Sequence, residues 1–293
     1  MKDANCISSI RYVQKRGYRF AHPLLYVKSD MEDESLGELK STVADYIDKE
    51  KKEGHLQSAS VYFRKLDSPS WFDINPSEEF TCASLFKVPV MIAMLAQEDK
   101  QPGYLDRKVL YLLPETLMEN VQPLENGKYY TLRELIRSMV SRSDNIAYDL
   151  CWKNMDQTIF NNLLKDLHVR PFDTKAIGEY NLDTKSYSRF FRVLYNASYL
   201  SAELSEFALH TLADSDFNGG MVKNIGKQIS VPRKFGTRYD SQQAQLHEFG
   251  IFYCGSEPYL LGVMTKGATQ APLYPVLNEI SSLVYYGVKC VVN

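Results

Sequence analysis

A run of about 18 uninterrupted apolar residues, the least that spans a bilayer as a helix, is missing from this chain. Even its most apolar stretch, residues 85–96, is interrupted by Lys87 and Pro89, so no transmembrane helix is expected. Paired cysteines are missing too. The five present, Cys6, Cys82, Cys151, Cys254 and Cys290, are odd in number and far apart with no C-x-x-C, which argues against a zinc site or a full disulfide framework. The five histidines, His22, His55, His168, His210 and His247, show neither H-x-H nor H-E-x-x-H spacing, so neither metal nor cofactor is expected. Charge of one sign is not in excess. With 34 Lys+Arg against 36 Asp+Glu the net charge is −2, which gives nothing to hold a phosphate backbone and argues against nucleic acid as a partner. Residues 1–17 carry Lys2, Arg11, Lys15 and Arg16 but no apolar run of the kind a secretory leader needs. Low-complexity tracts and internal repeats are absent.

What is present is ordinary globular material, 44% hydrophobic and 24% charged over 293 residues. That length is about twice the ~150-residue prior for one domain, which suggests two lobes or one large α/β unit. Leu36, Leu39, Val43 and Ile47 recur at helical period within residues 36–53, and an amphipathic helix is expected to open the fold. Residues 58–65 and 71–74 are β-branched and aromatic runs separated by a turn-rich Leu66–Ser70, which reads as a hairpin. From residue 84 to 97 apolar side chains nearly surround the axis, as in a helix buried on all sides. Pro89 fits only near the start of such a helix, where the first N–H groups have no intrahelical acceptor, so the start is set at about Ser84. Helices are expected over 131–140, 145–153, 157–167, 186–199 and 202–213, strands over 228–233, 248–254 and 259–265, and a last helix over 272–286. The domain reading is an extension at 1–33, an α/β lobe formed by 34–100 and 214–293, and an all-α lobe, 101–213, inserted between its halves.

Ser84-Leu85-Phe86-Lys87 is the only S-x-x-K in the chain. On a helix, residues i and i+3 share a face, so Lys87 is within reach of the Ser84 hydroxyl. A helix start also supplies free N–H donors suited to an oxyanion. Ser143-Asp144-Asn145 occurs once and opens the 145–153 helix, where its residue types also suit simple capping. Lys234-Phe235-Gly236 follows the 228–233 strand, although K-x-G recurs at Lys52-Glu53-Gly54. A P-loop reading of residues 220–227 fails by one residue and by the Gln that follows it. Tyr129 and Tyr130 are candidates to flank a cleft.

In that order, S-x-x-K, S-D-N and K-x-G resemble the penicillin-recognising serine enzymes, and class A β-lactamases most closely. The segments 80–94, 135–150 and 258–267 read like that family, and the resemblance runs from about Leu36 to the C-terminus. It implies a β-lactamase/transpeptidase-like α+β fold, a five-stranded antiparallel sheet flanked by helices with an inserted all-α lobe. It also implies that Ser84 attacks a β-lactam amide or a D-Ala-D-Ala bond of a peptidoglycan stem peptide to form an acyl-enzyme. Lys87 would take the serine proton as a neutral amine, its pKa lowered by burial and by Lys234. Ser143 would pass a proton to the leaving nitrogen, and Asn145 would hold the substrate's side-chain amide. The N–H groups of Ser84 and Thr237 would form the oxyanion hole, with Gly236, Thr237 and Arg238 along the binding strand.

The chain departs from the family in two places. Phe235 stands where the family carries a hydroxyl that helps bind the substrate carboxylate, leaving Thr237 or Arg238 to substitute. Residues 168–185 lack the family's E-x-x-x-N, so Glu179 is the candidate deacylation base and deacylation is expected to be slow. Two alternatives stand beside a β-lactamase-like hydrolase: a DD-peptidase-like penicillin-binding enzyme and a catalytically silent cell-wall-binding module. By resemblance the protein is expected to be a monomer acting in the periplasm or outside the cell.

Overall fold

The Asp33 carboxylate accepts the Ser35 N–H at 2.9 Å and starts a short 3-10 turn, Glu34–Leu36, that leads into helix α1, Gly37–Lys52. In the computed structural model, residues 19–20, 32–114, 123–173, 180–225, 229–240, 243–253 and 257–288 are described. Strands β1, Ser58–Lys65, and β2, Trp71–Ile74, form the expected hairpin. A two-residue strand β3, Phe80–Thr81, precedes a 3-10 turn, Ala83–Phe86, and helix α2, Lys87–Lys100. The hairpin of β4, Lys108–Tyr111, and β5, Lys128–Thr131, was not read from the sequence and corrects the expectation that 101–213 is all-α. Helices α3, Leu132–Ser141, α4, Asn145–Asn154, and α5, Gln157–Asp166, come next, followed by β6, Asn181–Leu182, which pairs with β3. Helices α6, Thr184–Tyr195, and α7, Ala202–Ala213, lead to β7, Arg233–Tyr239, β8, Ala244–Phe252, β9, Tyr259–Gly267, and α8, Leu273–Gly287.

The main sheet has the order β2-β1-β9-β8-β7 with every pairing antiparallel, as the expected fold class requires. Side-chain alternation divides the core in two. Leu246, Phe252, Leu261 and Val263 face α1 and α8, where Val43, Ile47, Val276, Leu277 and Ile280 close the layer. Phe249, Ile251, Leu260 and Met264 face the other way, into a larger core with the apolar residues of α2. Helix α2 is buried along residues 87–96 and packs against α3, α4, α5 and α7, which explains why its apolar residues surround the axis. Among the described residues no helix is long and apolar enough to cross a membrane.

Several boundaries differ from expectation: the strand expected over 248–254 runs Ala244–Phe252 and the helix expected over 186–199 runs Thr184–Tyr195. The α-helix begins at Lys87 rather than Ser84, which sits in the preceding 3-10 turn, and Pro89 falls in the first α-helical turn, where its missing N–H costs no hydrogen bond. The strand expected over 228–233 begins only at Arg233, because Pro232 has no N–H to donate, although its carbonyl still accepts from Ile251 N–H at 3.0 Å. The K-x-G triplet therefore lies within β7 rather than after a strand.

A buried ion pair ties the segment before β7 to the sheet. Arg233 Nε lies 3.3 Å from Glu248 Oε1, and its guanidinium donates to the carbonyls of Phe217 at 2.7 Å and Ser215 at 3.2 Å. Glu248, fully buried, also accepts Met221 N–H at 2.7 Å. Gly220 is required beside it, since a Cβ there would stand 1.9 Å from the Glu248 carboxylate.

Removing one partner of such a pair strands a buried charge, whereas replacing both with apolar residues does not. Glu248→Leu is expected to lower the unfolding free energy by about 3–5 kcal/mol in urea titration, and Arg233→Met with Glu248→Leu to recover most of that loss. A double variant as unstable as the single one would contradict this account.

Candidate active site

Ser84 is held by a short, heavily anchored turn. Cys82 N–H donates to Tyr180 O at 2.8 Å, Leu85 N–H to Cys82 O at 2.9 Å, and the buried Tyr187 hydroxyl to Leu85 O at 2.8 Å. Ala83, directly before Ser84, has φ +47°, a left-handed conformation that costs a non-glycine residue about 1–2 kcal/mol. Strain of this kind persists only where the surroundings hold it. Half-buried Ser84 and buried Lys87 line one cavity of about 380 Å3, together with Asn145, Thr237 and Arg238.

The Lys87 amine crosses from α2 to the start of α4. Its Nζ donates to Ser143 O at 2.6 Å, to Asn145 Oδ1 at 2.7 Å and to Ser143 Oγ at 3.2 Å. Ser143 can offer both oxygens because it too is left-handed, at φ +56°. Asp144 fixes that conformation. As the N-cap of α4 its carboxylate accepts Ile146 N–H at 2.9 Å and Ala147 N–H at 3.0 Å, and it also accepts the Ser138 hydroxyl at 2.8 Å and the Tyr111 hydroxyl at 3.1 Å. Burial pulls Lys87 down to about 8, while the carboxylates of Asp144 and Asp149 hold it from falling further.

Lys234 reaches the same region from β7 in a different state. It is fully buried, and its Nζ has no hydrogen-bond partner among the described residues. Burial first, and then the charge of Lys87, push it well below the usual lysine value, against weaker opposition from Glu248 and Asp216. Lys87 has three oxygen acceptors that favour its ammonium form and Lys234 has none among the described residues, so of the two amines Lys87 is the better held as a cation.

Strand β7 is the edge of the sheet, paired only with β8, and its other side faces the Ser84 turn. Gly236 makes that approach possible, because a Cβ there would lie 3.0 Å from both Cys82 O and Leu85 N. Residues 234, 236 and 238 are paired with Phe249, His247 and Gln245 of β8 and share the face toward α2. Phe235 lies on the opposite face, where its ring stacks on Phe217 at 3.9 Å. The Lys234 amine lies 4.4 Å from the centre of the same ring. Arg238, with its Nε 3.8 Å from the Asp240 carboxylate, and Thr237 remain on the cavity wall.

Sequence reasoning missed the rest of that wall. Phe86, Tyr148, Phe172 and Tyr180 line it, with Thr81, Cys82 and Ala83. Only Phe86 belongs to one of the motifs; the others are scattered along the chain with no spacing that marks them. Among the described residues no carboxylate lines the cavity, and Glu179, the candidate base, lies outside the described residues. Tyr129 is exposed on β5 and Tyr130 packs on Tyr111, with ring centres 5.9 Å apart. His247 is buried with Nδ1 accepting Thr265 N–H at 3.2 Å and Nε2 set 3.1 Å from Gln245 Oε1, and burial holds it neutral, at about 3. The metal-ligand types that do converge, Glu50, Glu53 and His55, lie at the end of α1 and not on the cavity.

The family model described as the Beta-lactamase enzyme family matches residues 38–288. No curated protein matches the sequence. Among solved structures, a beta-lactamase from Chitinophaga pinensis DSM 2588 is similar at 17% identity and TM-score 0.75, with 86% of this chain and 99% of that chain covered. A class A beta-lactamase from Mycobacterium abscessus is similar at 16% identity and TM-score 0.74, with 86% and 99% covered. A variant of PBP-A, solved as an acyl-enzyme complex with penicillin G, is similar at 16% identity and TM-score 0.74, with 90% and 100% covered. At such identities these likenesses are of fold.

The electrostatics predict the effect of removing the Asp144 charge while keeping a side chain that can cap α4. Because that carboxylate raises Lys87, Asp144→Asn should move the Lys87 midpoint below about 8. Carbon-13 NMR titration of the lysine ε-carbons reads this directly. An unchanged or higher midpoint would show that Asp144 does not act on the amine through its charge.

Proposed function

The chain belongs to the beta-lactamase enzyme family, and we propose that it is a serine acyl hydrolase that opens β-lactam amides through Ser84 and releases the acyl group slowly. The observation that carries this reading is the Lys87 amine, bound at once to Ser143 and Asn145 and lining the same cavity as Ser84. In acylation a neutral Lys87 accepts the Ser84 proton as the Oγ–carbonyl carbon bond forms. The carbonyl becomes an oxyanion held by the N–H groups of Ser84 and Thr237, donors worth about 3–4 kcal/mol each in comparable sites. The oxyanion then collapses, the carbon–nitrogen bond breaks, and the nitrogen receives a proton from the Ser143 hydroxyl, which is replenished from the Lys87 ammonium. Asn145 steadies the acyl-side amide. The substrate carboxylate lies toward β7, near Lys234, Gly236, Thr237 and Arg238.

Deacylation returns a water proton and the acyl group as a free acid. General-base assistance to that water is typically worth ~10²–10⁴ in rate. The absence of a carboxylate from the described part of the cavity wall supports slow release, with Glu179 as the candidate base. The same observation favours the second reading, a DD-peptidase-like enzyme on D-Ala-D-Ala stem peptides, which acylates and then transfers or releases slowly. Either reaction carries with it an extracytoplasmic site of action, periplasmic or extracellular, for a monomer without a cofactor.

Intact-mass measurement after incubation with benzylpenicillin is expected to give a long-lived adduct of one acyl group, abolished in Ser84→Ala. No adduct on the unaltered protein would favour a silent binding module instead. Since Lys87 must be neutral to accept the proton, single-turnover acylation should rise with pH below about 8 and level off above it. A rate independent of pH across that range would remove Lys87 as the base. Glu179→Gln should change adduct decay by less than about tenfold, and fast hydrolysis that collapses in this variant would make Glu179 the missing base.

A further inference from the structure

Beneath the Ser84 turn runs a chain of buried polar groups that no sequence motif marks. Strand β3 ends at Thr81, three residues before Ser84, and pairs with β6 rather than with the main sheet. Thr81 N–H donates to Gln245 Oε1 of β8 at 3.2 Å. The same oxygen lies 3.1 Å from His247 Nε2, and His247 Nδ1 accepts Thr265 N–H of β9 at 3.2 Å. A neutral imidazole that accepts at Nδ1 carries its proton at Nε2, so His247 donates to Gln245. Gln245 Oε1 thus receives two donors, which assigns the orientation of its amide. Both side chains are buried, at 2% and 0% exposure, so water does not compete for these bonds. The Phe80 ring meets the imidazole edge-on at 5.5 Å and closes the chain against β3.

The chain joins two parts of the site that are otherwise built on different elements. In the proposed reaction one oxyanion donor, the Ser84 N–H, belongs to the turn after β3, and the other, the Thr237 N–H, belongs to β7. Strand β7 is registered on β8, with Gly236 opposite His247, Thr237 opposite Leu246 and Arg238 opposite Gln245. The turn is registered on the same strand through Thr81. Its left-handed Ala83 gives it a conformation that lasts only while both ends are held. Tyr187 holds the far end at Leu85 O, and Gln245 holds the near end from the sheet. We propose that Gln245, oriented by His247, is a positioning residue for acyl transfer, which ties Thr81 to the strand paired with β7 and so sets the spacing of the two N–H groups offered to the oxyanion. The proposal rests on the reading of Ser84 as the nucleophile.

The test follows single-turnover acylation by benzylpenicillin in Gln245→Met, which keeps the side-chain length without the acceptor, and in Gln245→Glu, which keeps oxygens for both donors. In Gln245→Met the limiting rate is expected to fall about 10–100-fold, as when reacting groups are misplaced by about 1 Å, with the half-saturating concentration changed by less than about threefold. The pH midpoint of acylation in that variant stays near 8, where Lys87 sets it. Gln245→Glu is expected to recover a limiting rate within about threefold of the unaltered protein. A rate constant does not depend on how much of a preparation is folded, so a chain that only stabilised the fold would lower the amplitude and leave the rate. If Gln245→Met does not fold, Gln245→Asn, which draws the acceptor back by one carbon, reads the same split. An unchanged limiting rate in the folded variant, an equal loss in Gln245→Glu, or a shifted midpoint overturns the positioning role and leaves Ser84 acylation standing. Failure of the unaltered protein to acylate overturns both.

Discussion

Three oxygens around one buried amine hold this site together. Lys87 ends in Ser143 O, Ser143 Oγ and Asn145 Oδ1, which joins the start of α2 to the start of α4. Withdrawing an ammonium from water costs several kcal/mol. Hydrogen bonds to a charged group return about 1.5–3 kcal/mol each, so three of them are enough to offset the cost. Burial still outweighs the opposing charges of Asp144 and Asp149, which leaves the amine near 8 rather than at the usual lysine value. A group so poised can give or accept a proton in neutral solution at little energetic cost, whereas a fully solvated lysine cannot.

The surrounding structure keeps those three oxygens in place and the second lysine at bay. Asp144 spends its carboxylate on two N–H groups of α4 and two hydroxyls, and so locks the left-handed Ser143 that turns both of its oxygens to Lys87. On the far side Gly236 lets the edge strand press against the Ser84 turn, and Arg233 with Glu248 fixes the segment leading into that strand. Lys234 arrives on this strand without a hydrogen-bond acceptor among the described residues, and burial and the charge of Lys87 disfavour its ammonium form.

The parts of this arrangement that depend on local pattern were legible in the sequence. Leu36 to Ile47 at helical period, the hairpin at 66–70 and the apolar girdle after Ser84 each report a nearest-neighbour preference, and each matches an observed element. Serine and lysine three residues apart were legible for the same reason. What depends on distant partners was not. Phe235 was legible only as a missing hydroxyl, whereas the contacts its ring makes come from elsewhere in the fold: it stacks on Phe217, and Lys234 Nζ lies 4.4 Å from its centre. Asp144 looked like a helix cap and is one, yet its charge also acts on Lys87, which lies 57 positions earlier in the chain. The division of charge between the two lysines follows from how many acceptors each meets, and no spacing in the sequence encodes that number.

The ring-lined wall bears on the proposed turnover. An ester on Ser84 would be released only when water reaches its carbonyl with a base behind it, and the described part of the wall is largely aromatic. An acyl group that fills that surface also displaces water from it. On the proposed function, contacts that speed the first half-reaction would thus hinder the second, because binding energy gained by the acyl group persists in the acyl-enzyme instead of being realised only at the transition state. Capture of a β-lactam and its destruction would then make opposite demands on the side chains that line the cavity from α4 and from the residues on either side of 174–179.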